Sequence, residues 1–243
     1  QELSKVIPSF IRRADPGNKH YAQLSGFSDS MQSELRQLAE IHLPKTCSMP
    51  YPGVRLIYSD PDAVAKVAGA LLFSSGQAGL LELQQYVRTL PEEEVSRILD
   101  AACASRENRR HKSPRALEHA QFTFEILADF GVYRDLHRHR LLTQERQLLT
   151  CNFGYYMPPE IMGTDMEKEY AEAMDLAKKA YEEIAAELPE EAQYVVPMAY
   201  NIHWYFHINL RSLQWLTELR SSAQGHPTYR WIAQEMARQT SEA

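Results

Sequence analysis

The densest chemical signal in the chain is a run of basic side chains, His137–Arg140, which reads His-Arg-His-Arg. Neighbouring cations repel one another unless an anion lies among them, and the arginine fork suits phosphate oxygens. The run therefore predicts either a site for an anion or a solvated helix end, where cations complement the helix dipole.

The sequence around this run favours the anion site. Glu118-His119 lies twenty residues before Arg138, and Phe122-Thr123-Phe124 comes between them. Farther on come Glu190–Pro197 and the segment Asn209-Leu210-Arg211-Ser212-Leu213, followed by Leu219-Arg220. In order and spacing these motifs resemble those of the flavin-dependent thymidylate synthases, over about residues 54–240. Several ordered motifs are more specific than any one of them.

The resemblance implies an enzyme that reductively methylates dUMP to dTMP with FAD, NADPH and methylenetetrahydrofolate. In such enzymes the flavin supplies the redox chemistry, and the protein orients the partners. The resemblance also implies a homo-oligomer, a tetramer or pseudo-tetramer whose sites form where subunits meet. The residues it assigns to FAD are Arg138, His139, Arg140, Asn209, Arg211 and Ser113. Arg220 is assigned to the uracil ring, where a fixed cation would act catalytically.

Several positions depart from the family's pattern around the nucleotide. Leu148 lacks the family's serine hydroxyl, Thr150-Cys151 replaces an Arg-Tyr pair, and Gln193 replaces an arginine expected on the phosphate. Two lost charged contacts at about 1.5–3 kcal/mol each would weaken binding substantially. Arg146 reverses the charge of a family glutamate and, with Arg220, is a candidate contact for substrate. The chain is therefore expected to be a degenerate half of a tandem enzyme, or a divergent member with another ligand; we favour the first.

Two alternatives come from other functional classes. One is a noncatalytic structural or oligomerisation domain that kept the fold and lost dUMP binding. The other is a metal-dependent enzyme using His203 and His207, which lie four apart and so share one face of a predicted helix, together with His111 or His119. No HExxH glutamate accompanies them, so we prefer hydrogen-bonded histidines and expect no metal.

Aromatic residues near these histidines have two interpretations. Trp204, Tyr205, Phe206 and Trp215 could form a wall for a flavin ring, but a stripe at helical spacing more often belongs to the core.

Composition limits the remaining classes. The chain has 243 residues and a net charge of −6, which argues against a broad nucleic-acid surface. Cys47, Cys103 and Cys151 are widely spaced and odd in number, which fits a reduced cytoplasmic setting. No apolar run approaches the ~20 residues of a membrane span. The chain begins with Gln1, without Met, and is expected to be a piece of a longer protein.

The pattern of residues predicts an α+β fold with helices in the majority, and the resemblance implies a central, mostly antiparallel sheet packed by several long helices. Residues 1–53 are expected to be an N-terminal extension or linker, and residues 54–243 the synthase-like domain. The predicted strands are 54–58 and 122–126, and the predicted helices are 31–41, 63–73, 80–87, 92–104, 132–140, 164–188, 197–220 and one after Pro227.

Overall fold

The structure is a computed structural model that describes residues 2–15, 17–43 and 52–243. It forms two compact units, Gln1–Met49 and Pro50–Ala243. Gln1 and Cys47 lie outside the described residues. The functional division into an extension and a synthase-like domain stays a prediction.

The N-terminal unit is helical. It contains α1 (Glu2–Val6), α2 (Pro8–Ala14) and α3 (Lys19–His42). The predicted helix 31–41 is the second half of α3, which begins where the Asn18 side chain accepts a hydrogen bond from the His20 amide at 3.0 Å. This cap satisfies a backbone donor that no helical turn could satisfy.

The C-terminal unit is built on a four-stranded antiparallel sheet of order β1-β2-β4-β3. Its strands are β1 (Gly53–Ser59), β2 (Gln121–Asp129), β3 (Thr143–Arg146) and β4 (Asn201–Asn209). The central pair runs in register from Gln121 opposite Asn209 to Asp129 opposite Asn201. The α+β prediction is confirmed at this level, with an antiparallel sheet and many helices.

The described residues of this unit, 52–243, also form seven α-helices. They are α4 (Ala63–Phe73), α5 (Leu80–Val87), α6 (Glu92–Ala101), α7 (Phe130–Leu136), α8 (Asp165–Ala185), α9 (Leu210–Arg220) and α10 (Pro227–Ser241). Two 3₁₀ helices, Arg115–His119 and Glu191–Val195, lie between them. The bounds of α4 and α5 agree with the prediction, and α10 begins at Pro227, the residue after which the last helix was predicted. No helix of the described ranges is long and apolar enough to cross a membrane.

The predicted helix 197–220 was wrong in its first half, because residues 201–209 form β4. Ile202, Trp204, Phe206 and Ile208 are each at most 2% exposed, whereas the residues between them are polar or half exposed. This alternation has the period of a strand, which places successive side chains on opposite faces. The aromatic stripe is therefore split, since Trp204 and Phe206 belong to the core and Tyr205 points the other way.

Two smaller differences affect the basic run. Helix α7 ends at Leu136, so Arg138–Arg140 lie in the loop that follows it instead of on the predicted helix 132–140. This loop leads into β3, a short strand that the sequence pattern did not predict, whose residues pair with β4 from His207 to Trp204.

The core of this unit lies against one face of the central strands. Phe122, Phe124 and Ile126 of β2 pack there with the alternate residues of β4. Helices α7, α9 and α10 cover this face with buried side chains, among them Leu136, Leu216 and Met236, all 0% exposed. Each large apolar side chain buried in this way contributes about 1.5–3 kcal/mol. The packing fixes the ends of β4 and α7, from which the functional side chains extend.

Candidate functional site

A cavity of about 680 Å³ lies beside the start of α9. Its lining comes from the 3₁₀ helix Arg115–His119 and the loop before it, the loop after α7, the end of β4, and α9. The six residues assigned to the flavin from the sequence all line this one cavity: Ser113, Arg138, His139, Arg140, Asn209 and Arg211. The fold therefore brings together residues that are up to 98 positions apart in the chain.

Asn209 stands where strand becomes helix. It is the last residue of β4 and the N-cap of α9, and its side-chain oxygen accepts a hydrogen bond from the Ser212 amide at 2.9 Å. An N-cap of this kind contributes about 1 kcal/mol to stability. The sequence reasoning missed this structural role, which by itself explains why an asparagine suits the position.

Arg211 is held in place by two other parts of the site. Its Nε donates to the Ser113 carbonyl at 2.9 Å, and its Nη1 donates to Glu118 Oε1 at 2.7 Å. The Ser113 hydroxyl in turn donates to Gln214 Oε1. Both Ser113 and Arg211 are thus fixed against the 3₁₀ helix and α9 before any ligand arrives.

The cavity carries more positive than negative charge. Seven arginine or lysine side chains line it, against two glutamates. Glu218 accepts two hydrogen bonds from Arg106, at 2.6 and 2.7 Å. Glu118 lies between Arg115 and Arg211, and the hydrogen bond from Arg115 is the main cause that lowers its pKa.

Four cations of the cavity have no hydrogen-bonded carboxylate among residues 52–243. They are Arg109, Lys112, Arg138 and Arg140, of which Arg138 forms an ion pair with the partly exposed Asp135 at 3.7 Å. Among residues 52–243, the other three have no ion pair. Such an excess favours an anionic ligand, which supports the anion interpretation of the basic run.

The cavity also offers apolar surface. Leu141, Leu142, Ile208 and Trp215 line it, and Trp215 is 47% exposed. An exposed aromatic ring beside cations suits a planar, charged ligand, since stacking and charge act together.

His139 connects the cavity to Arg220. The His139 Nε2 accepts a hydrogen bond from Arg220 Nε at 3.1 Å. Burial, and then the Arg220 charge, lower the pKa of His139 from 6.5 to about 4. The imidazole is therefore neutral at pH 7 and carries its proton on Nδ1, because Nε2 acts as the acceptor.

Arg220 itself is not among the residues that line the cavity. Its guanidinium carbon lies 5.5 Å from the centre of the Tyr229 ring, while its Nε contacts His139. Arg220 thus lies next to the cavity, in contact with one of its lining residues. Its contact with a pyrimidine stays a prediction.

Arg146, the other residue assigned to substrate, does not line this cavity either. Its Nη1 donates to the Gln147 carbonyl at 2.9 Å and to Gln193 Oε1 at 3.0 Å. The same Gln193 oxygen accepts from the Leu149 amide at 3.0 Å. The structure therefore brings Arg146 together with Gln193, where the resemblance expects an arginine, and not with the six residues assigned to the flavin.

Cys151, another substituted position, is 2% exposed. Burial raises the pKa of its thiol to about 11. Such a thiol stays protonated and inert near neutral pH. It belongs to the core.

The two histidines considered as metal ligands lie on β4, so the helical face assumed for them was wrong. His203 Nε2 lies 3.0 Å from Glu125 Oε1, and His207 Nδ1 lies 2.9 Å from Thr123 Oγ1. Both histidines thus contact polar side chains of β2, and His207 is hydrogen-bonded there, as the preferred interpretation predicted. Within the described ranges, no group of three His, Cys, Asp or Glu side chains could hold a metal ion.

The sequence reasoning missed six charged or polar lining residues: Arg106, Arg109, Lys112, Arg115, Gln214 and Glu218. The basic composition of residues 106–112 was the available signal for the first three. A second cavity, of about 410 Å³, shares Arg115 and Glu118 with the first and contains Phe73, Leu80 and His119.

Comparison with known proteins identifies relatives of two kinds. A sequence model of the family described as thymidylate synthase complementing protein matches residues 55–243. A UPF0159 protein of Chlamydia muridarum (strain MoPn / Nigg) is 50% identical over 238 residues, which cover 98% of this chain and 45% of that protein. A UPF0159 protein of Thermoplasma acidophilum is 36% identical, covering 97% of this chain and 46% of that protein.

A flavin-dependent thymidylate synthase of Clostridium tetani is 29% identical over 210 residues, which cover 75% of this chain and 80% of that protein. The family resemblance is thereby confirmed. The chain spans about half the length of the UPF0159 relatives it matches.

Proposed function

The chain belongs to the thymidylate synthase complementing protein family, and from this membership we propose that it is a flavin-dependent thymidylate synthase-type domain that binds FAD in the 680 Å³ cavity. The assembly that contains it would convert dUMP to dTMP with NADPH and methylenetetrahydrofolate. The observation that carries the proposal is the convergence of all six residues assigned to the flavin on this cavity.

The donor set of the cavity fits the chemistry of FAD. A diphosphate needs cations, and Arg138 and Arg140 lie in the same loop. Arg138 has a 3.7 Å ion pair with Asp135, and Arg140 has no ion pair among residues 52–243. A flavin ring needs a flat apolar neighbour, and Trp215 offers one beside them. When bound, FAD would supply hydride-transfer chemistry that no amino-acid side chain provides.

The chain's own residues would position charge next to the flavin. Neutral His139 accepts the hydrogen bond of Arg220 and so fixes the direction of its guanidinium. A cation that is already fixed in place need not move when negative charge develops on a pyrimidine, so it stabilises that charge at little energetic cost. We propose this role for Arg220. Substitution of His139 would then affect Arg220 as well as the flavin.

This chain lacks residues that the resemblance expects on the phosphate of dUMP. Gln193 accepts hydrogen bonds from Arg146 and from the Leu149 amide, so its side chain stabilises the loop after β3. Because the UPF0159 relatives are about twice as long as this chain, we propose that another domain or subunit completes the dUMP site. A homo-oligomer, or a tetramer-like arrangement of two halves, would provide it.

The structural role of Gln193 also supports a second candidate function. A noncatalytic structural or oligomerisation domain would keep the fold while Gln193 and buried Cys151 serve packing. The two candidates differ in one measurable property, which is the affinity for FAD.

The test is a titration of the 243-residue chain with FAD, followed by dUMP, with the oligomeric mass measured in parallel. We expect FAD to bind and the Arg138→Gln/Arg140→Gln variant to lose at least tenfold in affinity, since each charged contact contributes about 1.5–3 kcal/mol. Arg97→Gln is the matched control, because Arg97 pairs with Glu94 on α6 and does not line the cavity.

A change in the flavin spectrum when dUMP is added would support the complete synthase site. A folded chain that binds no FAD would contradict the proposal and support the structural candidate.

A further inference from the structure

The loop before the 3₁₀ helix brings a second set of cations to the cavity. Arg109 and Lys112 both line it, and both are exposed. Within the C-terminal unit as described, neither side chain has an ion pair. None of the sequence motifs that identified the family includes these two residues.

This loop is held to α9 at both of its ends. At one end Arg106 forms two hydrogen bonds with Glu218, at 2.6 and 2.7 Å. At the other end the Ser113 carbonyl accepts a hydrogen bond from Arg211 at 2.9 Å, and its hydroxyl donates to Gln214. The path of the loop across the cavity is thus fixed by α9.

Hydrogen bonds within the loop stiffen the stretch between these ends. Arg106 Nε donates to the His111 carbonyl at 2.8 Å, the His111 amide donates to the Asn108 carbonyl at 3.0 Å, and the Arg110 amide donates to Asn108 Oδ1 at 3.0 Å. A loop that is ordered beforehand loses less conformational entropy when a ligand binds. Arg109 and Lys112 therefore extend from a preorganised support.

The charges of the cavity divide into three sets. Glu218 forms an ion pair with Arg106, and Glu118 is shared by Arg115 and Arg211. The loop after α7 contributes Arg138 and Arg140, which the proposed function assigns to the flavin diphosphate. Arg109 and Lys112 come from a different loop and remain available for a further anionic group.

We propose that Arg109 and Lys112 form a second anion subsite, which binds a phosphate or carboxylate of a co-substrate that shares the cavity with the flavin. The proposal rests on the proposed function for the identity of the flavin. Two co-substrates carry this chemistry at a distance from their reacting atoms. One is a nicotinamide dinucleotide with a 2′-phosphate, and the other is a folate with a glutamate tail.

The experiment measures ligand affinities on the FAD-loaded 243-residue chain, in the wild type and in the Arg109→Gln/Lys112→Gln variant. The ligand pairs are NADPH against NADH, and folate with three glutamates against folate with one. We expect the wild type to prefer the more anionic member of at least one pair. The variant should lose that preference by about tenfold, because a charged hydrogen bond is lost, and keep its FAD affinity within twofold.

Arg110→Gln is the matched control, since Arg110 carries the same charge in the same loop but does not line the cavity. Loss of the NADPH preference assigns the subsite to the 2′-phosphate, and loss of the glutamate preference assigns it to the folate tail. The proposal is overturned if the wild type has neither preference, or if Arg110→Gln has the same effect as the double variant. It is also overturned if the double variant loses FAD as strongly as Arg138→Gln/Arg140→Gln.

A chain that binds no FAD would contradict the proposed function, and the anion subsite would then be tested directly. In that case inorganic pyrophosphate is titrated into the flavin-free chain. Weaker binding to the Arg109→Gln/Lys112→Gln variant than to Arg110→Gln would support the subsite. Equal binding to the two would overturn it.

Discussion

Replacement of His139 by Gln should change how the stability of the protein depends on pH. The pKa of His139 is lowered from 6.5 to about 4, first by burial and then by the charge of Arg220. The unfolded chain therefore binds a proton at this residue over a pH range in which the folded chain does not. Stability is highest above pH 6.5 and is lost as the pH falls towards 4.

The magnitude follows from the size of this shift. One pKa unit corresponds to about 1.4 kcal/mol, so a shift of this size would correspond to roughly 3 kcal/mol in a fully buried group. The His139 side chain is partly exposed, and solvent screening reduces the value. We expect the difference in unfolding free energy between wild type and His139→Gln to change by about 1–2 kcal/mol between pH 7 and pH 4.

The assay is urea unfolding of both proteins at half-unit steps from pH 4 to pH 7.5. A Gln side-chain oxygen can still accept the hydrogen bond of Arg220, so the comparison isolates the proton. The wild type should lose its advantage as the pH falls. A control in the Arg220→Gln background should show a smaller effect, because one of the two causes of the shift is gone. A difference that stays constant within about 0.3 kcal/mol over this range would refute the reasoning.

Three further predictions concern the framework of the site. Glu218→Gln should lower stability by about 2 kcal/mol, since it leaves the partly buried Arg106 without its ion-pair partner, and hydrogen exchange should accelerate in residues 106–113. Asn209→Ala should cost about 1 kcal/mol in thermal unfolding through loss of the N-cap, whereas Asn209→Asp should retain most of it. Phe206→Ala should cost about 3–5 kcal/mol and Tyr205→Ala far less, and similar costs would contradict the strand assignment of β4.

Much of the fold could be predicted because its signals are local. The bounds of α4 and α5 follow from apolar spacing and from the breaks on either side of them. The strand β2 appears in the alternation of Phe122, Phe124 and Ile126 with polar residues.

Residues 201–209 have the same alternation as β2, but their aromatic content also fits a helical stripe. Pairing with neighbouring strands makes this segment a strand and not a helix, because β4 lies between β2 and β3 and forms backbone hydrogen bonds with both. Strand β3 has four residues and little pattern of its own, so only its partner β4 defines it. Long-range pairing of this kind leaves no signature in a single segment.

The sequence by itself determined the family, the α+β class and six of the residues that line the cavity, because these depend on residue types in a fixed order. The tertiary structure decided which charges remain available. It pairs Arg106 with Glu218, Arg115 and Arg211 with Glu118, and Arg146 with Gln193. It also leaves Arg109 and Lys112 at the cavity. The physical reason is that an arginine's charge is known from its sequence, but its neutralisation depends on a partner that folding brings within about 3 Å.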